Sequence, residues 1–328
     1  MSKPILITGG AGFIGSHLVE FFDNDGIDYN VLDSLSTGSM HNIPAAISKN
    51  RFIKADVNNN ELLKDLISST SLVIHLASTV GVQNVLLDPI KSIDTNINSL
   101  NNIAYNCSIN NVPLVFFSTS LVYSPEKEKK VLFSESDQTH TLGFHPVSMY
   151  VYSKKVGELL CDYYMQHKHL KYIIIRPFNM IGIRQRKDVG MVVPTFIDSA
   201  LQKRSISIFG DGTQTRTFSD VKVAVRLLWK IISDENSYGQ IFNLATTEKS
   251  TSILQLAELI KDILSDSVSI NFIPISEVYG SSYRDVNYRA PSLAKLKKVT
   301  PAWTTRPLED VLKEIIEFEK LKMKSSPN

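Results

Sequence analysis

Three groups of side chains in this chain have the types and spacing to do chemistry. Tyr150 and Lys154 are four residues apart, which on a helix puts them on one face. A phenol at its ordinary pKa of ~10 is a poor base near neutrality. An ammonium beside it favours the phenolate, and lowering the pKa by ~3 units takes ~4 kcal/mol at ~1.4 kcal/mol per unit. Tyr152 and Lys155, three apart, leave the register open. The second group is Thr119 and Ser120, which follow a short apolar run. Either hydroxyl could hydrogen-bond a substrate oxygen that is losing its proton.

The third group is a glycine-rich turn, Thr8-Gly9-Gly10-Ala11-Gly12-Phe13-Ile14-Gly15. It fits both a Gly-x-Gly-x-x-Gly spacing (Gly10, Gly12, Gly15) and a Gly-x-x-Gly-x-x-Gly spacing (Gly9, Gly12, Gly15). Small residues here permit a tight turn, close approach of a pyrophosphate, and packing of helix on strand. The helix that follows offers amide N–H groups and the positive end of its dipole to phosphates. Asp33 stands 18 residues beyond Gly15, at the end of the next apolar run. A carboxylate there accepts from both hydroxyls of an adenine ribose and repels the extra phosphate of NADP, so NAD is the expected dinucleotide.

These groups need a scaffold, and the hydrophobic pattern supplies one. Short apolar runs at Ile5–Thr8, Tyr29–Leu32, Arg51–Lys54, Leu72–Leu76, Leu114–Ser118 and Tyr172–Arg176 read as strands. Between them, Gly12–Asn24, Glu61–Ser68, Ile90–Asn110 and Met149–His167 carry helical periodicity. Such alternation predicts an α/β fold with a doubly wound parallel sheet (a Rossmann fold). The first domain is expected to span 1–176. A smaller C-terminal α/β substrate domain is expected over 177–328, with segments such as 219–245 packing back on the first. Helical patterns recur there at Asp220–Ser233, Ile253–Leu264 and Leu308–Lys322. The charge run Glu126–Lys130 reads as a solvated loop.

The chain has 328 residues, 43% hydrophobic and 21% charged, which is a globular composition. Lys and Arg total 35 against 33 Asp and Glu, a net charge of +2; that balance argues against a nucleic-acid partner. Two cysteines, Cys107 and Cys161, make no disulfide framework and point to a reducing compartment. The apolar runs fall far short of the ~20 residues a membrane span needs, and the N-terminus has no signal-peptide architecture. A cytoplasmic protein, off the membrane and without a bound metal, is the expectation.

Taken together, these motifs resemble the extended short-chain dehydrogenase/reductase family, in particular its NAD-dependent nucleotide-sugar epimerases and dehydratases. The resemblance runs almost the full length: the glycine turn, Asp33-Ser34-Leu35-Ser36-Thr37-Gly38, Ala55-Asp56-Val57, His75-Leu76-Ala77-Ser78 and Thr95-Asn96-Ile97-Asn98. It continues through Tyr150-x-x-Ser153-Lys154-x-x-x-Glu158, Arg176-Pro177-Phe178-Asn179 and Phe209-Gly210-Asp211-Gly212-Thr213-Gln214-Thr215-Arg216. It implies Tyr150 as catalytic base, with Lys154 and Thr119 as its partners. It implies NAD held by Gly9, Gly12, Phe13, Ile14, Gly15, Asp33, Asp56, Val57, Ala77, Asn96, Tyr150 and Lys154. For the substrate it implies Ser120, Asn179, Arg216 and Arg289, the two arginines neutralising a diphosphate.

The resemblance also separates reactions. Its dehydratases typically carry Asp-Glu after the threonine, its decarboxylases keep a glutamate at the Leu121 position, and its fucose-nucleotide reductases place a cysteine there. This chain has Ser120 and Leu121, and leucine moves no proton. The implied activity is therefore 4-epimerisation of a nucleotide sugar, with a UDP-linked substrate expected. The alternatives are a dehydratase or oxidoreductase of the same family, or a non-catalytic NAD(H)-sensing module on the same fold. Relatives often pair the 90–110 and 149–167 helices across a two-fold axis, so a homodimer is expected. Two departures stand out: Ser124 where the family commonly has glycine after Val-Tyr, and Phe218-Ser219-Asp220-Val221-Lys222-Val223 where it often has Phe-Ile-His-Val-x-Asp.

Overall fold

The structure, a computed structural model, describes residues 3–79, 88–123, 132–137, 139, 146–188, 190–264, 268–279 and 287–325. Ser124 and the Glu126–Lys130 run lie outside the described residues. Seven parallel strands form the main sheet: β1 (Ile5–Thr8), β2 (Tyr29–Asp33), β3 (Phe52–Lys54), β4 (Leu72–His75), β5 (Leu114–Phe117), β6 (Tyr172–Pro177) and β11 (Gln240–Leu244), in the order β11-β6-β5-β4-β1-β2-β3. The order reverses between β1 and β4, so the crevice for a ligand opens at their carboxyl ends. This is the doubly wound parallel sheet expected from the sequence, with a smaller C-terminal α/β region beside it.

Alternate strand residues face opposite layers. Ile5, Ile7 and Val31 pack into one core with Leu18 and Phe22 of the Phe13–Asn24 helix and Leu228 of the Val221–Ile232 helix. Leu6, Leu32 and Val73 pack into the other with helices Asn60–Ser68, Pro89–Ile109 and Pro146–Lys168. Covering both faces explains why the central strands are buried along their whole length. Among the described residues, no helix is long and apolar enough to cross a membrane.

Segments between β6 and β11, together with the chain beyond β11, build the smaller region. There β8 (Ile206–Phe209) pairs with β13 (Ile270–Ile273) under helices Val192–Leu201, Ile253–Leu264 and Leu308–Ser325. A second small sheet joins β12 (Thr251–Ser252), β9 (Thr215–Arg216) and β14 (Tyr288–Arg289). The short pair β7 (Met180–Ile181) and β10 (Ser219–Asp220) leads back to the main sheet. The departure at 218–223 has a structural answer. Asp220 caps the 221–232 helix through the Lys222 N–H at 2.8 Å and accepts from Arg306 at 3.1 Å. Arg306 also pairs with Glu314, 2.6 Å away. Arg306, just before the C-terminal helix, thus links Asp220 to Glu314 on that helix.

Two buried histidines are expected to make the fold acid-sensitive. His17 lies 3.0 Å from the Ile183 carbonyl, and His75 Nδ1 lies 2.7 Å from the Thr8 hydroxyl. Burial pulls His17 down to about 4 and His75 down to about 3. The unfolded chain takes up these protons near 6.5, so it binds more protons than the folded chain as pH falls below that value. Stability present above pH 6.5 is therefore lost on acidification toward 4, by up to about 1.4 kcal/mol per pH unit for each histidine. Urea midpoints are expected to fall between pH 7 and 5, with a shallower fall in His17→Asn. Equal slopes in the two proteins would contradict this assignment.

Candidate active site

The cofactor cradle is built at the carboxyl ends of β1 to β4. Gly9 leaves β1 at φ +73°, and a Cβ there would stand 2.6 Å from the Ala77 amide nitrogen. Glycine therefore lets the turn lie against the chain leaving β4. Gly12 is the N-cap of the Phe13–Asn24 helix, with no side chain bonded to its first amides. Phe13, Ile14 and Gly15 open that helix, so its amides and positive dipole end are available to a phosphate. These features fit a dinucleotide.

Asp33 ends β2 as expected and has a second task that sequence reasoning missed. Its Oδ2 accepts from the Ala11 N–H at 3.0 Å and its Oδ1 from the Leu35 N–H at 2.8 Å. It thus braces the glycine turn itself. A carboxylate has about four acceptor sites, so sites remain for ribose hydroxyls. Burial raises the carboxyl's pKa, and the two backbone donors oppose that. Asp56 is exposed and Val57 buried just beyond β3, with Asp56 Oδ1 accepting from the Asn58 N–H at 2.8 Å. Ala77 follows β4, its N–H 3.4 Å from Thr8 Oγ1.

The tyrosine helix begins at Pro146 rather than Met149. Proline is tolerated in a first helical turn because its missing N–H has no partner there. Tyr150 consequently sits inside the helix and not at its opening. Burial separates the two lysines: Lys154 is buried, while Lys155 is half-buried. Lys154 Nζ donates to the Phe117 carbonyl at the end of β5 (2.8 Å) and lies 5.9 Å from the Tyr150 ring centroid. Burial pulls Lys154 down to about 7 and pushes Tyr150 up to about 12, with a hydrogen bond to Thr119 acting the other way on the phenol. Among the protein's own groups, desolvation wins.

Asn96 fastens this helix to its neighbours. Its Oδ1 accepts from the Ser78 hydroxyl and the Thr79 N–H, each at 2.9 Å, and its Nδ2 donates to Ser153 Oγ at 3.0 Å. Ser153 in turn donates to the Tyr150 carbonyl at 2.7 Å. Sequence reasoning quoted Ser153 within a motif but gave it no role. Its signal was a hydroxyl one residue before the buried lysine.

Thr119 opens a 3-10 turn over Ser120–Val122 and accepts the Leu121 N–H at 3.2 Å, leaving its own proton to donate elsewhere. Ser120 is buried and Leu121 half-buried. Asn179 adopts φ +29°, and its Nδ2 donates to the Thr217 carbonyl at 3.1 Å. Arg216 and Arg289, far apart in sequence, are register partners on the parallel strands β9 and β14. Their side chains therefore leave the same face of one small sheet.

A model of the NAD dependent epimerase/dehydratase family matches residues 5–245. The chain belongs to that family. NAD is the family's cofactor. The chain is 32% identical to UDP-glucuronic acid decarboxylase 1 of Danio rerio over 96% of its own length and 72% of that protein's. It superposes with a TM-score of 0.85 and 27% identity on UDP-N-acetylglucosamine 4-epimerase from Methanobrevibacter ruminantium M1, covering 98% of this chain and 99% of that one. UDP-glucuronic acid 4-epimerase from Bacillus cereus, in complex with UDP-glucuronic acid and NAD, gives 0.84 and 27%, covering 97% and 99%.

The cradle generates a direct expectation. Gly9→Ala forces a methyl group onto the Ala77 backbone at a positive φ. The purified variant is expected to carry little NAD per chain when its bound nucleotide is released by acid and quantified. A variant with the wild-type NAD content would show that the turn does not hold the cofactor.

Proposed function

We propose that this NAD-dependent enzyme is a 4-epimerase of a nucleotide sugar, with a UDP-linked hexose, N-acetylhexosamine or uronate as substrate. One observation carries the choice. The turn beside Tyr150 contributes Thr119, Ser120 and the aliphatic Leu121, so its first three residues bring hydroxyls and no second acid. A dehydration or a decarboxylation asks more of that turn than a reaction in which one group takes and returns one proton. The 4-epimerases among the similar structures support the reading.

In this mechanism Arg216 and Arg289 hold the diphosphate, a role suited to guanidinium forks. Asn179 supports the same part of the substrate. Thr119 donates to the sugar's 4-oxygen, and Tyr150 as phenolate takes the proton from that hydroxyl. Bound NAD supplies the reversible two-electron oxidation at carbon 4, and the positive charge that favours the phenolate beside Lys154. The 4-keto sugar then turns about its diphosphate linkage, and Tyr150 returns the proton to the oxygen once the carbon is reduced on its other face. Proton and electron pair both return, so no net oxidation remains.

The 32% identity to a UDP-glucuronic acid decarboxylase favours one second reading, oxidative decarboxylation of a UDP-uronate. Incubation with UDP-glucose, UDP-N-acetylglucosamine and UDP-glucuronate, followed by NMR, separates the two. The expected result is redistribution between 4-epimers with no carbon dioxide and no net NADH. Release of carbon dioxide with formation of a UDP-pentose would establish the second reading instead. Tyr150→Phe is expected to lower turnover by about 10²–10⁴-fold, the usual contribution of a positioned base; near-normal turnover would contradict the role of Tyr150.

A homodimer belongs to the same reading. Tyr105 and Ile109 on one long helix, and Leu159 and Tyr163 on the other, are exposed apolar side chains. Pairing these helices with those of a second copy would cover them. Light scattering is expected to give twice the chain mass at micromolar concentration, and a monomer would reject the pairing.

A further inference from the structure

A second buried polar cluster stands on β6 and β11, and the mechanism above does not use it. Arg176 and Asn243 are register partners on these strands. Arg176 grips Glu158 with two bonds, Nε to Oε1 at 2.8 Å and Nη2 to Oε2 at 2.6 Å. Glu158 follows Lys154 by one turn on the tyrosine helix and also accepts from the Ser118 hydroxyl at 2.6 Å. The Arg176 guanidinium lies 4.8 Å from the centroid of the Tyr123 ring, which stacks on Phe133 at 5.1 Å. Tyr123 therefore has little freedom, and it closes the turn that Thr119 opens.

Asn243 is where three chain segments meet. It is fully buried. Its Oδ1 accepts from the Tyr123 hydroxyl at 2.6 Å, and its Nδ2 donates to the Phe133 carbonyl at 2.8 Å and the Ser292 carbonyl at 3.3 Å. Its backbone N–H donates to Glu135 Oε1 at 2.9 Å. Phe133 is bonded in turn to the chain just beyond β14: its N–H donates to the Ala290 carbonyl at 2.8 Å, and its carbonyl accepts from the Ser292 N–H at 2.7 Å. One side chain thus spans from the Thr119 turn to the segment that carries Arg289. A buried amide with its donors and acceptor all engaged tolerates little displacement of any partner, because a broken bond strands a polar atom away from water.

We propose that Asn243 is a positioning residue that holds the Thr119–Tyr123 turn and the Arg289 strand in one fixed relation, so that seating the nucleotide and presenting Thr119 to the reacting hydroxyl are set together. This rests on the nucleotide-sugar reading above. Tyr123→Phe cuts the link on the turn side alone and keeps the stacked ring. Asn243→Leu cuts both sides while keeping most of the volume.

The test uses the NAD-loaded enzyme, steady-state kinetics on the nucleotide sugar that the wild type converts, and calorimetry with UDP. Tyr123→Phe is expected to lower kcat roughly tenfold, the effect of one lost and one stranded hydrogen-bonding group, with UDP affinity within twofold of wild type. Asn243→Leu is expected to lower kcat and to weaken UDP binding at least threefold. A Tyr123→Phe enzyme with unchanged kcat, or with kcat and UDP affinity lost in equal proportion, would overturn the proposal. So would an Asn243→Leu enzyme with wild-type UDP affinity; should that variant not fold, Tyr123→Phe decides alone. A wild type that binds no UDP and converts no nucleotide sugar would remove the underlying reading and this proposal with it. An active wild type with an indifferent Tyr123→Phe would remove this proposal only.

Discussion

The hydrogen bond from Lys154 to the Phe117 carbonyl draws an amine out of water at the carboxyl end of β5. Desolvation opposes such a placement, and the surrounding structure is arranged to impose it. Gly157 lets the tyrosine helix press close to β5 and the 89–109 helix, since a Cβ there would stand 2.6 Å from the Phe116 ring and 2.7 Å from Leu100. Asn96 and Ser153 fix the helix on one side, and Glu158 with Arg176 fixes it a turn further on. With the helix held there, Tyr150 meets the Thr119 turn. The cost appears in both groups: Lys154 gives up its proton near 7, and Tyr150 keeps its own up to about 12. If Tyr150 is the base, as proposed, such a site holds it in reserve until bound NAD brings further positive charge.

The long elements were legible because burial on both faces demands long apolar patterns. Six strands of the main sheet stand out as apolar runs, whereas β11 does not. Its sequence, Gln240-Ile241-Phe242-Asn243-Leu244, is interrupted by the very asparagine that joins three segments. The two-residue strands β7, β9, β10, β12 and β14 are made by their partners and have no period of their own. The site divides along the same line. Tyr150 and Lys154 announce themselves by helical spacing, and Asp33 by its place after the glycine turn. The brace from Asp33 to the Ala11 amide leaves no mark in sequence, because any residue supplies a backbone N–H. The pairing of Arg216 with Arg289 depends on a strand register that only tertiary structure sets.

Charge is used locally rather than globally. A net charge of +2 says little about an anionic ligand, yet the fold sets Arg216 and Arg289 side by side and adds an uncapped helix N-terminus at Gly12. At the corner where relatives often carry a His/Asp pair, this chain spends Asp220, Arg306 and Glu314 on joining its C-terminal helix to the 221–232 helix. The turn beside Tyr150 carries the aliphatic Leu121. On the proposed epimerase reading, proton transfer falls to Tyr150, and the demands on its ionisation rise.

That ionisation is the most direct point of test. An ultraviolet difference titration of wild type against Tyr150→Phe isolates the phenol, with NAD removed and then restored. Without NAD, Tyr150 is expected to remain protonated until about pH 12; with NAD bound, its ionisation is expected to move down by several units toward neutrality. A phenol that titrates at the same pH in both forms would contradict the account.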